Sequence, residues 1–260
     1  MLAAGWPEAL LWRVEDAGIN ASAPPQQRWV DGWLLRYCPG KAKRARCVQA
    51  VAAGRLPLDD RLALCRAVFE QARLPMVLRI TPFSLPAGLD AALAARGYGA
   101  LDDTRVMVAA RPPAQPEPLP ADLQLARLAP AEFAEVVGRL RGSPAGQSAA
   151  QAQRLLASPV PYQAWVLRRR EDPTVLACGQ MATEADLVGL YDVFTAPEAR
   201  GQGLARLLCG QMLAQAVQAG ARTAYLQVEA DNVPARAIYR RLGFADAYAY
   251  HYRTADPAAD

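Results

Sequence analysis

The chain has 260 residues, of which 52% are hydrophobic and 21% charged, and its formal net charge at pH 7 is +4. This length and composition predict a folded protein of two domains. The mild positive charge favours small anionic molecules, and because no basic run is interleaved with aromatic residues, we expect no nucleic-acid partner.

Three features of the sequence limit the possible chemistry and location of the protein. They are the cysteines, the single histidine and the N-terminal segment. The five cysteines show no Cys-x-x-Cys spacing, which is typical of reduced, buried thiols in a cytoplasmic protein. Since His251 is the only histidine, we expect neither a Cys–His enzyme nor a metal site. The N-terminus lacks the basic segment of a signal peptide, and no stretch approaches the roughly 20 apolar residues of a membrane span.

The first 110 residues are predicted to contain three helices among several strands. Apolar spacing predicts helices in EALLWRVEDAG, LDDRLALCRAVFEQAR and PAGLDAALAARGY. Runs rich in aromatic and β-branched residues predict strands in RWVDGWLLRYC, KRARCVQAVA, PMVLRITPF and DTRVMVA. Asp59 or Asp60 is the expected N-cap of the second helix.

A proline-rich segment then interrupts the pattern. The stretch ARPPAQPEPLPAD, residues 110–122, contains five prolines, which remove backbone donors and favour extended structure. This composition is typical of a short, stiff linker. We therefore divide the chain into a domain of residues 1–110, a linker of residues 111–121 and a domain of residues 122–260.

The second domain is predicted to have the same kind of alternation. Strands are expected in LQLARLA, YQAWVLRRR, TVLACGQMATEA, LVGLYDVFT, TAYLQVEA and AYAYHYR, and helices in PAEFAEVVGRLRG, SAAQAQRLLAS and VPARAIYRRLGF. The last of these helices resembles LPAGLDAALAARGY in the first domain, since each opens with hydrophobic-Pro-Ala and ends with Gly-aromatic. We interpret this as an internal duplication, with a chance match between two alanine-rich helices as the alternative.

Arg-Gly-Gln-Gly occupies positions 200–203, directly before a predicted helix that runs from about Gly203 to Ala219. A helix N-terminus presents unpaired N–H groups and a partial positive charge, and glycine lets a phosphate approach them without meeting a Cβ. Arg200 adds a charge suited to phosphate. The segment predicts a pyrophosphate site, and a glycine-rich tight turn is the alternative.

Two common nucleotide motifs do not fit this segment. It has no Gly-Lys-Ser/Thr, so hydrolysis of a nucleoside triphosphate is unsupported. The third glycine of a dinucleotide-binding fingerprint would fall at Arg206, and Glu229 comes too late to be its acidic residue.

The segments LYDVFTAPEARGQGLARLL and AYLQVEADNVPARAIYRRLGF carry two linked motifs. The first is Arg/Gln-x-x-Gly-x-Gly/Ala, at residues 200–205. The second is Asn-x-x-Ala-x-x-x-Tyr-x-x-x-Gly-Phe, whose residues here are Asn232, Ala235, Tyr239, Gly243 and Phe244. In this order and spacing, they resemble the acyl-CoA core of the GNAT superfamily of N-acetyltransferases over residues 122–252.

The resemblance implies an α/β (α+β) fold of two GNAT-like units, each a mixed, mostly antiparallel sheet flanked by helices. It also implies acetyl-CoA, and hence coenzyme A, as the cofactor. The strand ending in Val-Phe-Thr would separate from its neighbour and bind the pantetheine arm through its backbone, and the amides of residues 201–205 would hold the pyrophosphate. The implied cofactor-binding residues are Val193, Phe194, Thr195, Arg200, Gly201, Gln202, Gly203, Leu204, Ala205, Asn232, Ala235 and Tyr239.

The resemblance also points the hydroxyl of Tyr239 at the thioester sulfur. A phenol there can donate a proton or hydrogen bond to the departing thiolate. A core tyrosine packed against its helix is the alternative.

The attacking amine must be neutral, and deprotonating a lysine-like amine at pH 7 costs about 4–5 kcal/mol, against about 1 kcal/mol for an α-amino group. The candidate bases are Glu184, Asp186, Asp192 and Glu229. Asp192 is unusual inside an apolar strand, but an ion pair with a helix arginine explains it equally well, and the same ambiguity holds for Glu229. The sequence therefore names no single base.

The N-terminal half lacks the glycine loop, and Leu93 stands at the position that matches Tyr239. We therefore expect this half to bind no cofactor and to cover the acceptor side of the cleft. Trp29, Trp33 and Tyr37 would either line that cleft or pack within the sheet of their own half.

These features predict transfer of an acetyl group from acetyl-CoA to an amine by direct attack in a ternary complex, because no nucleophile with a partner base is visible. The alternatives are an acyl-CoA-binding sensor without turnover and a protein whose N-terminal half recruits a partner. The acceptor, a small molecule or a peptide, and the oligomeric state are left open.

Overall fold

A computed structural model describes residues 3, 5–39 and 42–256. Residues 1, 2 and 4, which belong to the N-terminal segment in which we expect no signal peptide, lie outside the described residues. In the described residues the helices are α1 (Glu8–Ala21), α2 (Leu58–Ala72), α3 (Leu89–Ala94), α4 (Pro130–Arg141), α5 (Ala145–Leu156), α6 (Leu204–Gln218) and α7 (Val233–Arg241). The strands are β1 (Gln27–Val30), β2 (Trp33–Arg36), β3 (Val48–Gln49), β4 (Leu78–Ile80), β5 (Gly99–Ala109), β6 (Leu123–Leu128), β7 (Tyr162–Arg169), β8 (Val175–Glu184), β9 (Leu187–Thr195), β10 (Thr223–Glu229) and β11 (Ala245–Thr254). Short 3₁₀ turns cover Lys43–Ala45 and Pro197–Ala199.

The strands form one sheet in the order β1-β2-β3-β4-β11-β5-β10-β9-β8-β7-β6. Only the pairs β3–β4 and β9–β10 are parallel in the described residues, so the predicted mixed, mostly antiparallel sheet flanked by helices is confirmed. In both parallel pairs a helix connects the strands, α2 in the first half and α6 in the second. The proposed duplication and the three-part division of the chain stay predictions.

Two strands cross between the halves of the chain. Strand β5 precedes the linker, yet it lies between β10 and β11 of the second half, and β11 in turn pairs with β4 of the first half. The proline-rich segment contains no helix or strand between β5 and β6, as predicted. The sheet is therefore continuous across the sequence division, because each half contributes a strand next to the other.

Helix α1 and helix α6 cover opposite faces of the sheet, which we name the α1 face and the α6 face. On the α6 face, α6 packs its apolar residues against Leu190, Leu226 and Met107. On the α1 face, α1 packs against Tyr191 and Tyr225. Helices α4 and α5 share the α1 face, where they pack on β7 and β8.

A buried ion pair fixes α1 to the sheet. Glu15 of α1 is 5% exposed and accepts hydrogen bonds from Arg79 of β4 and, at 2.6 Å, from the hydroxyl of Tyr248 in β11. Farther along α1, a Cβ at Gly18 would lie 2.9 Å from Nε2 of Gln227 in β10, so a larger residue there would require the Gln227 side chain to move. Helix α1 from the first half is therefore built into the second half's sheet.

Two local features of the first half differ from the sequence predictions. KRARCVQAVA forms a 3₁₀ turn followed by a strand of only two residues. The predicted cap of α2 is wrong, because Pro57 takes the N-cap position and Asp59 instead pairs with Arg96. No helix in the described part of the chain is long and apolar enough to cross a bilayer.

Candidate active site

The cleft lies where β9 and β10 separate. The two strands pair in parallel from Leu187 opposite Thr223 to Leu190 opposite Leu226, and their pairing ends there. Strand β9 continues to Thr195 along β8, and β10 continues to Glu229 along β5. The backbone of residues 191–195 is therefore unpaired on the side of β10, as a strand that accepts an added chain requires.

A bulge in β9 shapes the wall of this cleft. Asp192 has a φ of +50°, which is rare for a residue with a side chain, and the register between β8 and β9 shifts here. After the bulge, Val193 packs on the α6 face and Phe194 packs against the core under α4. The bulge thus turns Asp192 out of the regular alternation of the strand.

The glycine loop forms the mouth of the cleft. Gly201 and Gly203 have φ values of +79° and +75°, and a Cβ at either position would meet nothing within 4 Å. Helix α6 begins at Leu204, close to the predicted start. Within the described residues, none of the backbone amides of residues 201–206 donates a hydrogen bond. This row of free donors at a helix N-terminus is suited to an anion.

Arg200 stands beside this loop. It is exposed, its guanidinium carbon lies 5.6 Å from the centroid of the Phe194 ring, and its Nε donates a 3.4 Å hydrogen bond to the carbonyl of Thr195. The positive charge of Arg200 is therefore positioned between the end of β9 and the start of α6.

Helix α7 brings the second motif to the same end of the sheet. Asn232 caps α7, since its Oδ1 accepts a 3.2 Å hydrogen bond from the amide of Ala235. Tyr239 is partly buried against the α6 face, and its ring makes an edge contact with Phe244 at 6.1 Å. Burial raises the pKa of Tyr239, and its hydroxyl has no hydrogen-bond partner in the described residues. Tyr239 is thus a protonated phenol with its donor unused.

The family described as "Probable histone acetyltransferase Rv0428c C-terminal" matches residues 10–253 of this chain. The chain belongs to this family. It is a member of the GNAT superfamily of N-acetyltransferases and an acyltransferase.

Similar proteins agree with this assignment. The chain is 25% identical over 239 residues to "Uncharacterized N-acetyltransferase YobR" of Bacillus subtilis, with 87% of this chain and 91% of that protein covered. Its fold is similar to that of a GCN5-related N-acetyltransferase from Kribbella flavida, with a TM-score of 0.67, 18% identity and 95% of both chains covered. It is also similar to a tandem GNAT protein from the clavulanic acid biosynthesis pathway, with a TM-score of 0.61, 15% identity and coverages of 76% and 69%.

Asp192 of this GNAT protein is held by three donors. Its Oδ1 accepts a 2.8 Å bond from Arg141 of α4, and its Oδ2 accepts bonds of 2.7 Å from Gln180 and 3.0 Å from Gln151. Burial alone would raise the pKa of Asp192, but the charges of Arg141 and Arg154 and the hydrogen bonds outweigh it and hold that pKa below its usual range. The ion pair with a helix arginine is therefore present, and a carboxylate so stabilised is a weak base.

Glu184 and Asp186 lie away from the cleft. Glu184 accepts a 2.9 Å hydrogen bond from Asn20, and Asp186 pairs with Arg13. Glu184 ends β8 and Asp186 lies in the turn before β9, so both are at the end of β9 opposite to Thr195. They are unsuited to act on an amine at the cleft mouth.

Glu229 is the candidate base at the cleft mouth. It ends β10, is exposed, and continues the alternation of Tyr225 and Gln227, which places it on the α1 face. Its side chain has no partner among the described residues. Of the four carboxylates named from the sequence, Glu229 has the geometry closest to that of a base.

We expect Asp192→Asn to lower the free energy of unfolding by about 2 kcal/mol at pH 7, because it removes the charge opposite the partly buried Arg141. Asp192 has a lowered pKa, so its contribution is present above about pH 4 and is lost as the pH falls through the folded-state pKa. Denaturant unfolding from pH 2 to pH 7 should therefore show a flatter acid limb in the variant.

Asp122→Asn is the matched control, since Asp122 forms an exposed ion pair with Arg169 and should change stability little. If Asp192→Asn folds normally but loses nearly all turnover at saturating amine, Asp192 is the base and the structural role is wrong.

The N-terminal aromatic residues do not line the cleft. Trp33 is fully buried in the core of its own half, Tyr37 packs against that core, and Trp29 is 63% exposed. The interpretation as sheet packing is therefore correct for Trp33 and Tyr37, whereas Trp29 is exposed on β1 and fits neither interpretation. From the first half, apolar side chains of α1 and the arginines Arg36 and Arg44 reach the α1 face, and no motif in the sequence marked these arginines.

Proposed function

We propose that the protein transfers an acetyl group from acetyl-CoA to an amine by direct attack within a ternary complex. The observation that carries the proposal is the row of unbonded amides at residues 201–206, at the mouth of the separated strands β9 and β10. A pyrophosphate would accept hydrogen bonds from these amides and from Arg200. The two open glycines fit such a group, because neither carries a Cβ and no atom lies within 4 Å of the place where one would stand.

The remaining cofactor contacts follow from the same geometry. The unpaired backbone of Val193 and Thr195 would bond the pantetheine amides in the manner of an added strand, beside the ring of Phe194. Acetyl-CoA supplies the activated acyl group. The hydroxyl of Tyr239 would donate to the sulfur as negative charge develops there, and its raised pKa keeps the proton available at neutral pH.

Direct attack is favoured over a covalent acyl-enzyme. All five cysteines are buried free thiols, and burial raises the pKa of Cys178 to about 12. His251 is already bonded at 2.8 Å to Asp90 in the region of α3, so it does not activate a thiol. The amine must then reach the thioester itself, with Glu229 as the candidate acceptor of its proton. Buried reduced thiols also support the proposed cytoplasmic location.

The test is release of free thiol from acetyl-CoA across a panel of primary amines, together with calorimetric titration of acetyl-CoA. The expected result is binding of acetyl-CoA and amine-dependent thiol release, with the acetylated amine detected by mass spectrometry. Binding without turnover for any amine would point to an acyl-CoA sensor. Absence of binding by folded protein would overturn the proposal.

A further inference from the structure

We propose that the acceptor carries an anionic group, a carboxylate or phosphate, near its reacting amine, and that Arg36, Arg44 and Arg154 bind this group on the α1 face. The inference rests on the proposed function and names the substrate class. Each arginine comes from a different element: Arg36 from β2, Arg44 from the 3₁₀ turn before β3, and Arg154 from α5.

The place where an acceptor can enter is set by the two faces of the sheet. The α6 face is filled by α6 and α7. On the α1 face, tyrosines surround the point where β9 and β10 separate. The hydroxyls of Tyr191 and Tyr225 lie 2.8 Å apart, and the ring of Tyr162 lies 5.6 Å from that of Tyr191. Because α1 covers these buried tyrosines, an amine that approaches the thioester from the α1 face would pass the C-terminal end of α1, where α1 meets Tyr162.

The arginines border this tyrosine cluster. Nη1 of Arg44 donates a 3.3 Å bond to the hydroxyl of Tyr250, which in turn donates at 2.8 Å to Gln227 of β10. Both Arg154 and Arg44 lie within electrostatic reach of Tyr162. The turn that carries Arg44 is fixed over β5 by a 2.9 Å ion pair between Lys43 and Asp102.

Arg36 and Arg154 meet at the C-terminal end of α1. Nη1 of Arg36 donates to the carbonyl of Ile19 at 2.8 Å, and Nη1 of Arg154 donates to the carbonyl of Ala21 at 3.5 Å. The same Ala21 carbonyl accepts a 2.6 Å bond from Tyr162. These bonds use only part of the five donors that each guanidinium carries.

No carboxylate forms a direct ion pair with the cluster in the described residues, and Glu15 and Asp192 act on Arg36 and Arg154 only at longer range. Arg36 is 2% exposed, and the Nε atoms of Arg36 and Arg44 are buried with no hydrogen-bond partner. Among the described residues, none of the three arginines has a carboxylate partner. The nearby carboxylates are occupied: Glu15 binds Arg79, and Asp192 binds Arg141.

An anion would satisfy these donors. A guanidinium without a counter-ion is costly to bury, and burial lowers the pKa of Arg36 to about 10. Carboxylate and phosphate match the planar fork of arginine and bind it in bidentate fashion. A positive surrounding also lowers the pKa of an acceptor ammonium, which raises the neutral fraction that can attack. The cluster would therefore select the substrate and help to activate it.

The arginine cluster would disfavour strongly basic acceptors. A lysine-rich peptide brings several positive charges to a surface that is already positive, which opposes binding. A histone tail, the substrate type in the family's description, is thus expected to be a poor acceptor for this chain.

The test compares amines that differ only in an anionic group: β-alanine with 3-aminopropanamide, and phosphoethanolamine with ethanolamine, beside a lysine-rich peptide. We expect kcat/KM to be about tenfold or more higher for the anionic member of at least one pair. Arg44→Gln and Arg154→Gln should raise KM for that member and reduce the preference, with little change in kcat and in the Kd for acetyl-CoA. Arg139→Gln, at an exposed site on α4, is the control.

Equal or better turnover of the neutral members would overturn this inference and leave the proposed function intact. Absence of acetyl-CoA binding would overturn both. Equal loss of activity on both members of a pair would show that the arginines act only in packing. If a glutamine variant does not fold, Arg44→Lys and Arg154→Lys keep the charge but lose the bidentate fork, and they should show the same rise in KM to a smaller degree.

Discussion

Tyr239→Phe is expected to lower kcat about 100-fold while the Kd for acetyl-CoA stays unchanged. The substitution removes one hydroxyl and keeps the ring that packs against Phe244 and the α6 face. That hydroxyl has no partner among the described residues, so no internal hydrogen bond is lost. The loss of rate would therefore measure how much the Tyr239 hydroxyl stabilises the departing thiolate. Steady-state kinetics at saturating amine, with calorimetry for the cofactor, measure both quantities.

The pH dependence gives a second check on Tyr239. Because burial raises its pKa, the phenol keeps its proton from pH 6 to pH 9 and contributes no alkaline limb to kcat in that range. Any limb seen in the wild type belongs to the amine or its base, and it should persist in Tyr239→Phe at the lower rate.

Tyr98→Phe is the matched control for this substitution. Tyr98 is 4% exposed in the core of the N-terminal half, and its hydroxyl accepts a 3.2 Å bond from Arg66. Its loss should reduce stability and leave kcat unchanged. If the two variants have the same kcat as the wild type, Tyr239 is only a core tyrosine.

Sequence alone predicts the parts of the site that are coded locally. The start of α6 follows from Gly203, whose φ of +75° only glycine adopts readily, and the start of α7 follows from Asn232, which caps it. Both signals lie within a few residues of the element they define. The two helix starts that the motifs predict are therefore found in the structure at the same residues or within one residue of them.

The parts that the sequence does not predict depend on contacts between distant residues. The placement of β5 between β10 and β11 results from pairing across the whole chain, which no local pattern encodes. Asp192 bonds to Arg141, which lies 51 residues away in the sequence. The sequence alone therefore could not decide whether Asp192 forms an ion pair or acts as a base. Arg44 reaches Tyr250 over 206 residues, and an isolated basic residue in a turn carries no signal of such a contact.

Gly203→Ala is expected to weaken binding of coenzyme A about tenfold or more, and Gly220→Ala provides a control of the same chemistry. The two glycines lie at opposite ends of α6, with φ values of +75° and +106°, and a Cβ at either would meet nothing within 4 Å. Both substitutions therefore add a comparable backbone strain of about 1 kcal/mol.

Only position 203 lies within the row of free amides, so we expect only Gly203→Ala to change the Kd measured by calorimetry. Thermal unfolding should show a similar loss of stability in both variants. The weakening should also be larger for coenzyme A than for a pantetheine that lacks the pyrophosphate, because the lost contacts are those to phosphate. Equal affinity of both variants for coenzyme A would mean that the amides of residues 201–206 do not hold the pyrophosphate, and the cofactor would then have to bind elsewhere on the sheet.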